Sequence, residues 1–330
     1  MRKLASIRIV SNVLPIEGAD NIEAITIDGW QCVAKKGEFK RLDPCIYFEI
    51  DSFLPTIPAF DFLAKSGIRK NGNGAFGYRL RTIKLRGTLS QGLALPVSTF
   101  FSLEDMKSLS HGEDVTERLG ITKWEPPIPA CLGGEAKGAF PSWIRKTDQE
   151  RIQNVPHVLD DAEATYEVTV KLDGSSCTIY HHNGEFGVCS RNLDLHETEG
   201  NTFWKVARQY GLPEKISGFG NIAIQGELIG EGIQGNKERI AGHDLYVFDV
   251  WLIDEQRYAT PEHRHAIVSD LGLKHVPILY YKMSAPATVA DALKLADGPS
   301  LNPQTRREGW SSRSTVEKVE AGKQSVTNGF

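Results

Sequence analysis

The sequence lacks three features that would place a protein in a specialised class. Its five cysteines form no C-x-x-C pair, so it predicts neither a zinc cluster nor a disulfide framework. No apolar run approaches the eighteen residues that a membrane span needs. The N-terminus, MRKLASIRIV, has no apolar signal-peptide core. These absences predict an intracellular, cytoplasmic protein in a reducing setting, without membrane contact.

An excess of positive charge is also missing. The formal net charge is −4 at pH 7, which excludes a wholly basic nucleic-acid binder but permits local basic clusters. The 330 residues, 40% of them hydrophobic, suffice for two domains with separate cores. We see no internal repeat or low-complexity tract, and we expect a monomer.

Short strands dominate the first part of the chain. Turns such as EGAD and DG separate the runs SIRIV, IEAITI, QCVAK, CIYFEI and YRLRTIKLR, a pattern typical of a small barrel. We predict a first domain over residues 1–115, a linker over 116–145 that is rich in Pro and Gly, and a second domain over 146–330.

A basic cluster lies in the last of these runs, beside Tyr78. It consists of Arg79, Arg81, Lys84 and Arg86. One interpretation is a solvated barrel edge. The other is a groove that follows the phosphates of a nucleic acid.

Strands and helices alternate irregularly in the second domain, which indicates an α+β fold. TFWKVARQYGLP has apolar residues at helical spacing and ends at Gly211 and Pro213. TPEHRHAIVSDLG offers Thr260 as N-cap and Gly272 as the stop.

The stretch EVTVKLDGSSCTIY, residues 167–180, predicts two strands joined by a tight turn. Lys171 lies at the end of the first strand, and we expect Gly174 to adopt a backbone angle that other residues avoid. Most Lys-x-Asp-Gly stretches are solvated hairpin turns, so this motif alone does not define a site.

Other polar residues occur in a suggestive order around this turn. Each has an ordinary explanation on its own, as a surface turn residue, a core aromatic or a charge at a strand end. Upstream are Arg151 and Gln153, and downstream are Arg191, Glu227, Phe248, Glu308 and Arg313.

The order Lys-x-Asp-Gly, Arg, Glu-x-x-Gly, aromatic strand and Glu-Gly resembles the covalent nucleotidyltransferase superfamily of ligases and mRNA capping enzymes. KLDGSS is similar to the turn of RNA ligases, whereas DNA ligases usually have arginine at the position of Ser176. The stretches VAKKGEF, YFEIDSFLP and TIKLRGTLSQGLALP resemble the OB domain of an RNA ligase family in which this module comes first. The resemblance implies an α+β protein with an N-terminal OB-fold β-barrel and a mixed α/β nucleotidyltransferase (ATP-grasp-like ligase) domain.

The resemblance also implies roles for individual residues. Lys171 would form lysyl-AMP, Asp173 and Glu308 would bind Mg²⁺ or Mn²⁺, and Glu227 would support the adenosine ribose or the metal shell. These oxygen donors suit such ions, and a lysine amine attacks only when unprotonated, although its unperturbed pKa is about 10.4. Phe248 would stack on adenine. Further contacts to the ATP nucleotide are assigned to Arg151, Gln153, Thr169, Val170, Gly174, Arg191, Arg313 and Lys323.

The resulting prediction is an ATP-dependent RNA ligase that seals 3′-hydroxyl and 5′-phosphate RNA ends, as at nicks in duplex RNA. One alternative is a capping guanylyltransferase that uses GTP. Another is a catalytically impaired RNA-binding homologue, because the C-terminus departs from the family. Ser311 and Ser312 follow Glu-Gly where apolar residues are usual, and Thr327 takes the place of a lysine unless Lys323 replaces it. We therefore expect slow lysine adenylylation.

Overall fold

The computed structural model describes residues 3–125, 135–147, 149–161, 163–315 and 326–327. The chain divides into two compact units, Met1–Pro129 and Ala130–Phe330. Within the described residues, no helix combines the length and apolar character needed to cross a membrane.

The first unit is built on a five-stranded antiparallel sheet in the order β10-β4-β1-β2-β3. Its strand β1 pairs with β4 through its first half and with β2 through its second half. A register shift between Val10 and Asn12 separates the two halves, and such a bulge bends a strand. One strand thereby lines two apolar clusters, with Ile7 in one and Val10 in the other. The strands are β1 Ala5–Pro15, β2 Ile22–Ile27, β3 Trp30–Lys35, β4 Pro44–Phe48 and β10 Leu93–Pro96.

A four-stranded sheet, in the order β11-β5-β7-β6, and the hairpin β8-β9 make up the other strands among the described residues of this unit. Ile121, next to β11, is buried in the unit's core although it falls in the predicted linker. The strands are β5 Ser52–Pro55, β6 Arg69–Lys70, β7 Phe76–Arg79, β8 Ile83–Leu85, β9 Thr88–Ser90 and β11 Thr122–Lys123. Short helical segments are Pro58–Ser66, Val97–Thr99 and α1 Leu103–Met106.

The run YRLRTIKLR is not one strand, contrary to the sequence-based expectation. Leu80 donates its N–H to Ser52 O and accepts from Asp51 N, each at 2.9 Å. These bonds end β7 at Arg79, and a separate hairpin begins at Ile83. Tyr78 is buried, so it does not offer its ring to a ligand beside the basic cluster.

The second unit contains an eight-stranded sheet in the order β12-β17-β16-β15-β18-β19-β20, with β21 also paired to β19. One face of this sheet packs on the helices α2, Thr202–Gln209, and α4, Pro261–Asp270, through residues such as Ile224, Val206 and Ile267. The strands are β12 Ala136–Ala139, β15 Ser175–His182, β16 Glu185–Cys189, β17 Leu193–Leu195, β18 Ile222–Gly230, β19 His243–Leu252, β20 Arg257–Tyr258 and β21 Lys274–His275.

A five-stranded sheet, in the order β13-β24-β23-β14-β22, makes up the rest of the strands described in this unit. Val170 and Leu172 from β14 and the turn after it pack with Ile229 and Tyr246 of the larger sheet. The strands are β13 Glu150–Arg151, β14 Thr165–Lys171, β22 Ile278–Ser284, β23 Gly309–Ser314 and β24 Val326–Thr327.

The two helices that the sequence predicts are confirmed. Asn201 caps α2 by accepting from Phe203 N and Trp204 N, and Thr260 caps α4 by accepting from His263 N. Such caps satisfy N–H groups that have no partner within the helix. The helices of this unit are α2 Thr202–Gln209, α3 Leu212–Lys215, α4 Pro261–Asp270 and α5 Val289–Lys294.

Candidate active site

Lys171 is the last residue of β14 and lies beside Glu308. The backbone of Lys171 pairs with Gly309, the first residue of β23, and this register brings the preceding Glu308 next to the lysine. The Lys171 ammonium forms an ion pair with the Glu308 carboxylate. Both side chains are about 30% exposed, so a ligand can reach them.

The turn after Lys171 is fixed to β18 through Gly174. Its backbone N–H donates to Glu227 Oε1 at 3.0 Å. A Cβ on Gly174 would lie 2.4 Å from Leu228 O, which is closer than atoms pack. Gly174 does not have the positive φ that we expected from the sequence. The glycine is needed because the turn lies directly against the neighbouring strand.

The carboxyl group of Glu227 has a pKa well above its ordinary value. Burial raises the pKa of its carboxyl from 4.5 to about 7, and the charges of Glu308 and Asp173 add to this rise. The Lys171 charge and the Gly174 N–H act in the opposite direction. Glu227, Asp173 and Glu308 thus form one electrostatic group around Lys171.

Asp173 lies in the same turn and forms an ion pair with Lys237. No motif in the sequence points to Lys237, which follows β18 in a glycine-rich loop. The hydrogen bond to Asp173 raises the pKa of the Lys237 ammonium.

Asp173 and Glu308, the two predicted metal ligands, offer the kind of oxygen donor that a divalent cation binds. Hard oxygen donors are the ligands that Mg²⁺ and Mn²⁺ prefer. Burial is the main cause of the raised pKa of Glu227, and the charges of Glu308 and Asp173 add to it. Asp173 and Glu308 are 28% and 29% exposed, so a cation can reach both side chains.

Phe248 is displaced from regular pairing by a bulge in β19. Gln225 of β18 pairs with Asp249 and Gly226 pairs with Val247, so Phe248 is the extra residue. Bulges redirect a side chain and are frequent beside active sites. The Phe248 ring is half-buried, and the guanidinium of Arg313 lies 5.8 Å from its centre.

A buried ionic network holds Arg313 in place. Arg313 Nε and Nη2 donate to Asp249 at 2.7 and 3.0 Å, and Nη1 donates to Thr169 Oγ1 at 3.3 Å. Arg264 of α4, fully buried, lies between Asp249 and Glu167. The sequence did not suggest this role for Arg264.

Glu167, His265 and His275 lie close enough together to bind a metal. However, the positively charged side chain of Arg264 already contacts two of them, Glu167 and His275. Arg264 bonds to Glu167, and its Nε donates to His275 Nε2 at 3.0 Å. Burial and the Arg264 charge lower the pKa of His275 to about 3. The neutral ring accepts from Arg264 and donates from Nδ1 to Val276 O at 2.6 Å.

Arg191 lies in a small pocket on the Glu227 face of the larger sheet. Ser176 pairs with Glu227 and Thr178 pairs with Gln225, so these side chains share that face. The pocket is lined by Phe140, Lys146, Thr147, Ser176, Thr178 and Arg191. It therefore combines cations, hydroxyls and an aromatic ring, which suits a ribose or phosphate.

The remaining predicted nucleotide contacts differ in accessibility. Gln153 is buried, and its Oε1 has no hydrogen-bond partner among the described residues. Arg151 ends β13 and pairs with Thr327 through the backbone. The Val170 side chain is buried in an apolar cluster. Lys323 lies outside the described residues.

The predicted RNA-binding cations of the first unit are spread over two elements. Arg79, in β7, forms an ion pair with Asp51 at 2.7 Å and lies 5.4 Å from the Trp124 ring centre. Arg81, Lys84 and Arg86 are exposed, and the last two belong to the β8-β9 hairpin and its turn.

Comparisons with known proteins agree with this architecture. A family model described as an OB-fold domain matches residues 4–97, and an RNA ligase model matches residues 164–326. No curated protein matched the chain.

Solved structures of Naegleria gruberi RNA ligase are similar over nearly the whole chain. A glutamate-to-alanine mutant with AMP and Mn is 46% identical, with a TM-score of 0.83, covering 99% of this chain and 96% of that one. The structure with PPi is also 46% identical, at TM-score 0.83, covering 100% and 97%. A lysine-to-alanine mutant with ATP and Mn is 45% identical, at TM-score 0.83, covering 99% and 97%. The chain belongs to the RNA ligase family, with an OB-fold domain ahead of its mixed α/β ligase domain.

Proposed function

We propose that the chain is an ATP-dependent RNA ligase that joins a 3′-hydroxyl to a 5′-phosphate at nicks in duplex RNA. The observation that carries the proposal is the position of Lys171. It ends a strand, contacts Glu308, and shares one charged group with Asp173 and Glu227. The amine is partly exposed, so it can attack a nucleotide phosphate once it is uncharged and a divalent cation has replaced it beside the carboxylates.

The first step forms lysyl-AMP. The uncharged amine of Lys171 attacks the α-phosphorus of ATP, a nitrogen–phosphorus bond forms, and the bond to pyrophosphate breaks. The ammonium must first separate from Glu308 and release a proton to water, because an ammonium has no free electron pair. The attacking amine releases a second proton to water as the nitrogen–phosphorus bond forms. A divalent cation held by Asp173 and Glu308 would supply positive charge at the phosphate oxygens.

Two further steps complete sealing. A 5′-phosphate oxygen of the RNA attacks the phosphorus of lysyl-AMP, which frees Lys171 and leaves AMP on the RNA end. The 3′-hydroxyl then attacks the RNA 5′-phosphorus, loses its proton and expels AMP. Every bond that breaks in this sequence is replaced by one that forms.

Phe248 and Arg313 are suited to hold the adenine. The bulge exposes one part of the Phe248 ring, and Arg313 is held against it by Asp249. The similar Naegleria gruberi RNA ligase structures contain ATP, AMP and Mn, which supports ATP and a divalent cation as the cofactors of this chain. Arg191 and Gln153 would contact the same nucleotide.

Transfer of label from nucleotide to protein tests the proposal. The protein is incubated with Mn²⁺ and either α-³²P-ATP or α-³²P-GTP, and the labelled peptide is identified by mass spectrometry. We expect label from ATP on the peptide containing Lys171, no label in Lys171→Ala, and normal labelling in the exposed control Lys282→Ala.

Two results would contradict the proposal. Preferential labelling by GTP would indicate a capping-type enzyme, and persistent labelling of Lys171→Ala would place the nucleophile elsewhere. Sealing of a nicked RNA duplex is then compared with joining of single strands to test the preferred substrate.

A further inference from the structure

Lys237 is part of the active-site charge group although it lies far from Lys171 in sequence. Its ammonium contacts Asp173, and the charge of Glu308 also acts on it. Glu308 in turn pairs with Lys171. The two ammonium groups therefore share one cluster of carboxylates.

The backbone of Lys237 is held firmly from the opposite side. Lys237 O accepts from Asn302 Nδ2 at 3.1 Å and from Thr305 Oγ1 at 2.9 Å. The adjacent Glu238, buried, accepts from Ser300 Oγ and, at 2.7 Å, from Asn302 N. These bonds fix the position from which the Lys237 side chain extends.

The loop that follows β18 and contains Lys237 has a strained backbone. Three of its non-glycine residues have positive φ: Gln234 at 44°, Asn236 at 45° and Arg239 at 54°. Such angles are sparsely populated for non-glycine residues, and they persist only where surrounding contacts enforce them. Strain of this kind is concentrated at active sites and ligand clamps.

The side chain itself is free to move. Lys237 is 53% exposed, and a lysine ammonium is carried on a flexible stem of four carbons. A divalent cation bound to Asp173 would repel the ammonium. The displaced ammonium could then bind a phosphate of ATP, because a lysine ammonium forms charge-assisted hydrogen bonds with phosphate oxygens.

We propose that Lys237 binds the ATP phosphates, holding Asp173 in the nucleotide-free enzyme and contacting the β- and γ-phosphates once Asp173 binds a divalent cation. The inference rests on the proposed function. It supplies the triphosphate with a cation from the loop after β18, a source independent of the C-terminal strand.

The test uses Lys237→Met, which keeps the length of the stem and removes the charge. Arg239→Met is the matched control, since it removes one charge from the same loop, where Arg239 bonds to Gln304. Three quantities are measured: Mn²⁺ affinity without nucleotide, by electron paramagnetic resonance; lysine adenylylation against ATP concentration; and sealing of RNA whose 5′ end already carries AMP.

Lys237→Met should bind Mn²⁺ about two- to fivefold more tightly, because a competing ion pair is lost. Its adenylylation efficiency should fall roughly ten- to a hundredfold, the cost of a lost charge-assisted phosphate contact. Sealing of pre-adenylylated RNA should persist, because that step has no triphosphate. Lys237→Arg should restore part of the adenylylation.

An unchanged Mn²⁺ affinity, or equal losses in adenylylation and in sealing of pre-adenylylated RNA, would overturn the inference. A similar loss of adenylylation in Arg239→Met would also overturn it. Failure of the proposed function would look different, because the parent protein itself would then give no label on Lys171.

Discussion

The backbone N–H of Gly174 donates to Glu227 Oε1 at 3.0 Å and thereby connects the turn after Lys171 to strand β18. Lys171, the predicted nucleophile, ends a strand of the smaller sheet of the second unit. The hydrogen bond from Gly174 places it near Glu227 of the larger sheet. The bond depends on a glycine, because a Cβ at residue 174 would meet Leu228 O and Ile229 Cγ2 at 2.4 and 2.7 Å.

Gly174→Ala should therefore displace the turn. The nearest atom is backbone and cannot rotate away, so we expect a loss of about 1–3 kcal/mol in the free energy of unfolding and a severe loss of lysine adenylylation. Gly200→Ala is the control, since no atom lies within 4 Å of its added Cβ. Chemical denaturation and labelling by ATP measure the two effects, and normal labelling of Gly174→Ala would contradict the assigned geometry.

Glu227→Gln should change how stability depends on pH. The pKa of Glu227 rises from 4.5 to about 7 on folding, so the folded state binds the proton more tightly. Binding of this proton therefore stabilises the folded state. The stabilisation is fully present below pH 4.5 and is lost as the pH rises through 7. Glutamine can still accept from Gly174 N–H and carries no charge. At pH 8, without metal, the variant should be more stable than the parent by about 1–3 kcal/mol.

Denaturation at pH 5 and pH 8 with a chelator measures this difference. The exposed Glu199→Gln serves as the control and should show no such dependence. A variant that is equally stabilised at both pH values would show that burial of charge at Glu227 is not the cause.

Arg264→Met should strongly destabilise the ligase domain. Arg264 is fully buried between Glu167 and Asp249, and loss of one partner of a buried ion pair costs about 3–5 kcal/mol. Adding Glu167→Gln should recover part of this loss, because it removes the carboxylate left without Arg264 while Asp249 keeps its ion pair with Arg313. Urea denaturation of the single and double variants measures this recovery, and a double variant no more stable than Arg264→Met would contradict it.

Lys84→Ala with Arg86→Ala should weaken RNA binding by the first unit. Each lost phosphate contact lowers the slope of log affinity against log salt by about one unit. Lysine adenylylation should persist, since the proposed pocket lies in the second unit. Lys107→Ala removes an exposed cation elsewhere in the same unit and is the control; an unchanged slope in the double variant would show that the hairpin does not dock RNA.

Local patterns in the sequence predicted much of the fold. Period-two strands such as residues 22–27 and the cap at Thr260 were recognised because the residues that decide them are adjacent in the chain. The break after Arg79 was not recognised, because it depends on bonds from Leu80 to Asp51 and Ser52. Pairing between distant segments leaves no local signal.

The candidate active site, too, is predicted where the signal is local in the sequence and missed where it depends on contacts between distant residues. The turn around Lys171 and the acid at Glu308 were found through motif and resemblance, and the strand register brings them together. Lys237 and Arg264 are not predicted from the sequence, because a lysine in a glycine-rich loop and an arginine in a largely polar helix look like ordinary surface residues. Their partners, Asp173 and Glu167, are supplied only by the folded chain. Gly174 was selected for the wrong reason, because its constraint is space and not backbone angle.

Strand β24 lies inside its sheet, between β13 and β23. Among the described strands it is the last to be synthesised, yet β13 pairs with the sheet through it. Strand β13, which carries Arg151, therefore cannot pair until Val326 and Thr327 have been synthesised. At about 5–20 residues per second, synthesis of the intervening chain takes roughly ten to several tens of seconds. During translation the nascent chain can therefore assemble its first unit and most of the described strands of its second before β13, which carries the proposed nucleotide contact Arg151, has its neighbour in the sheet.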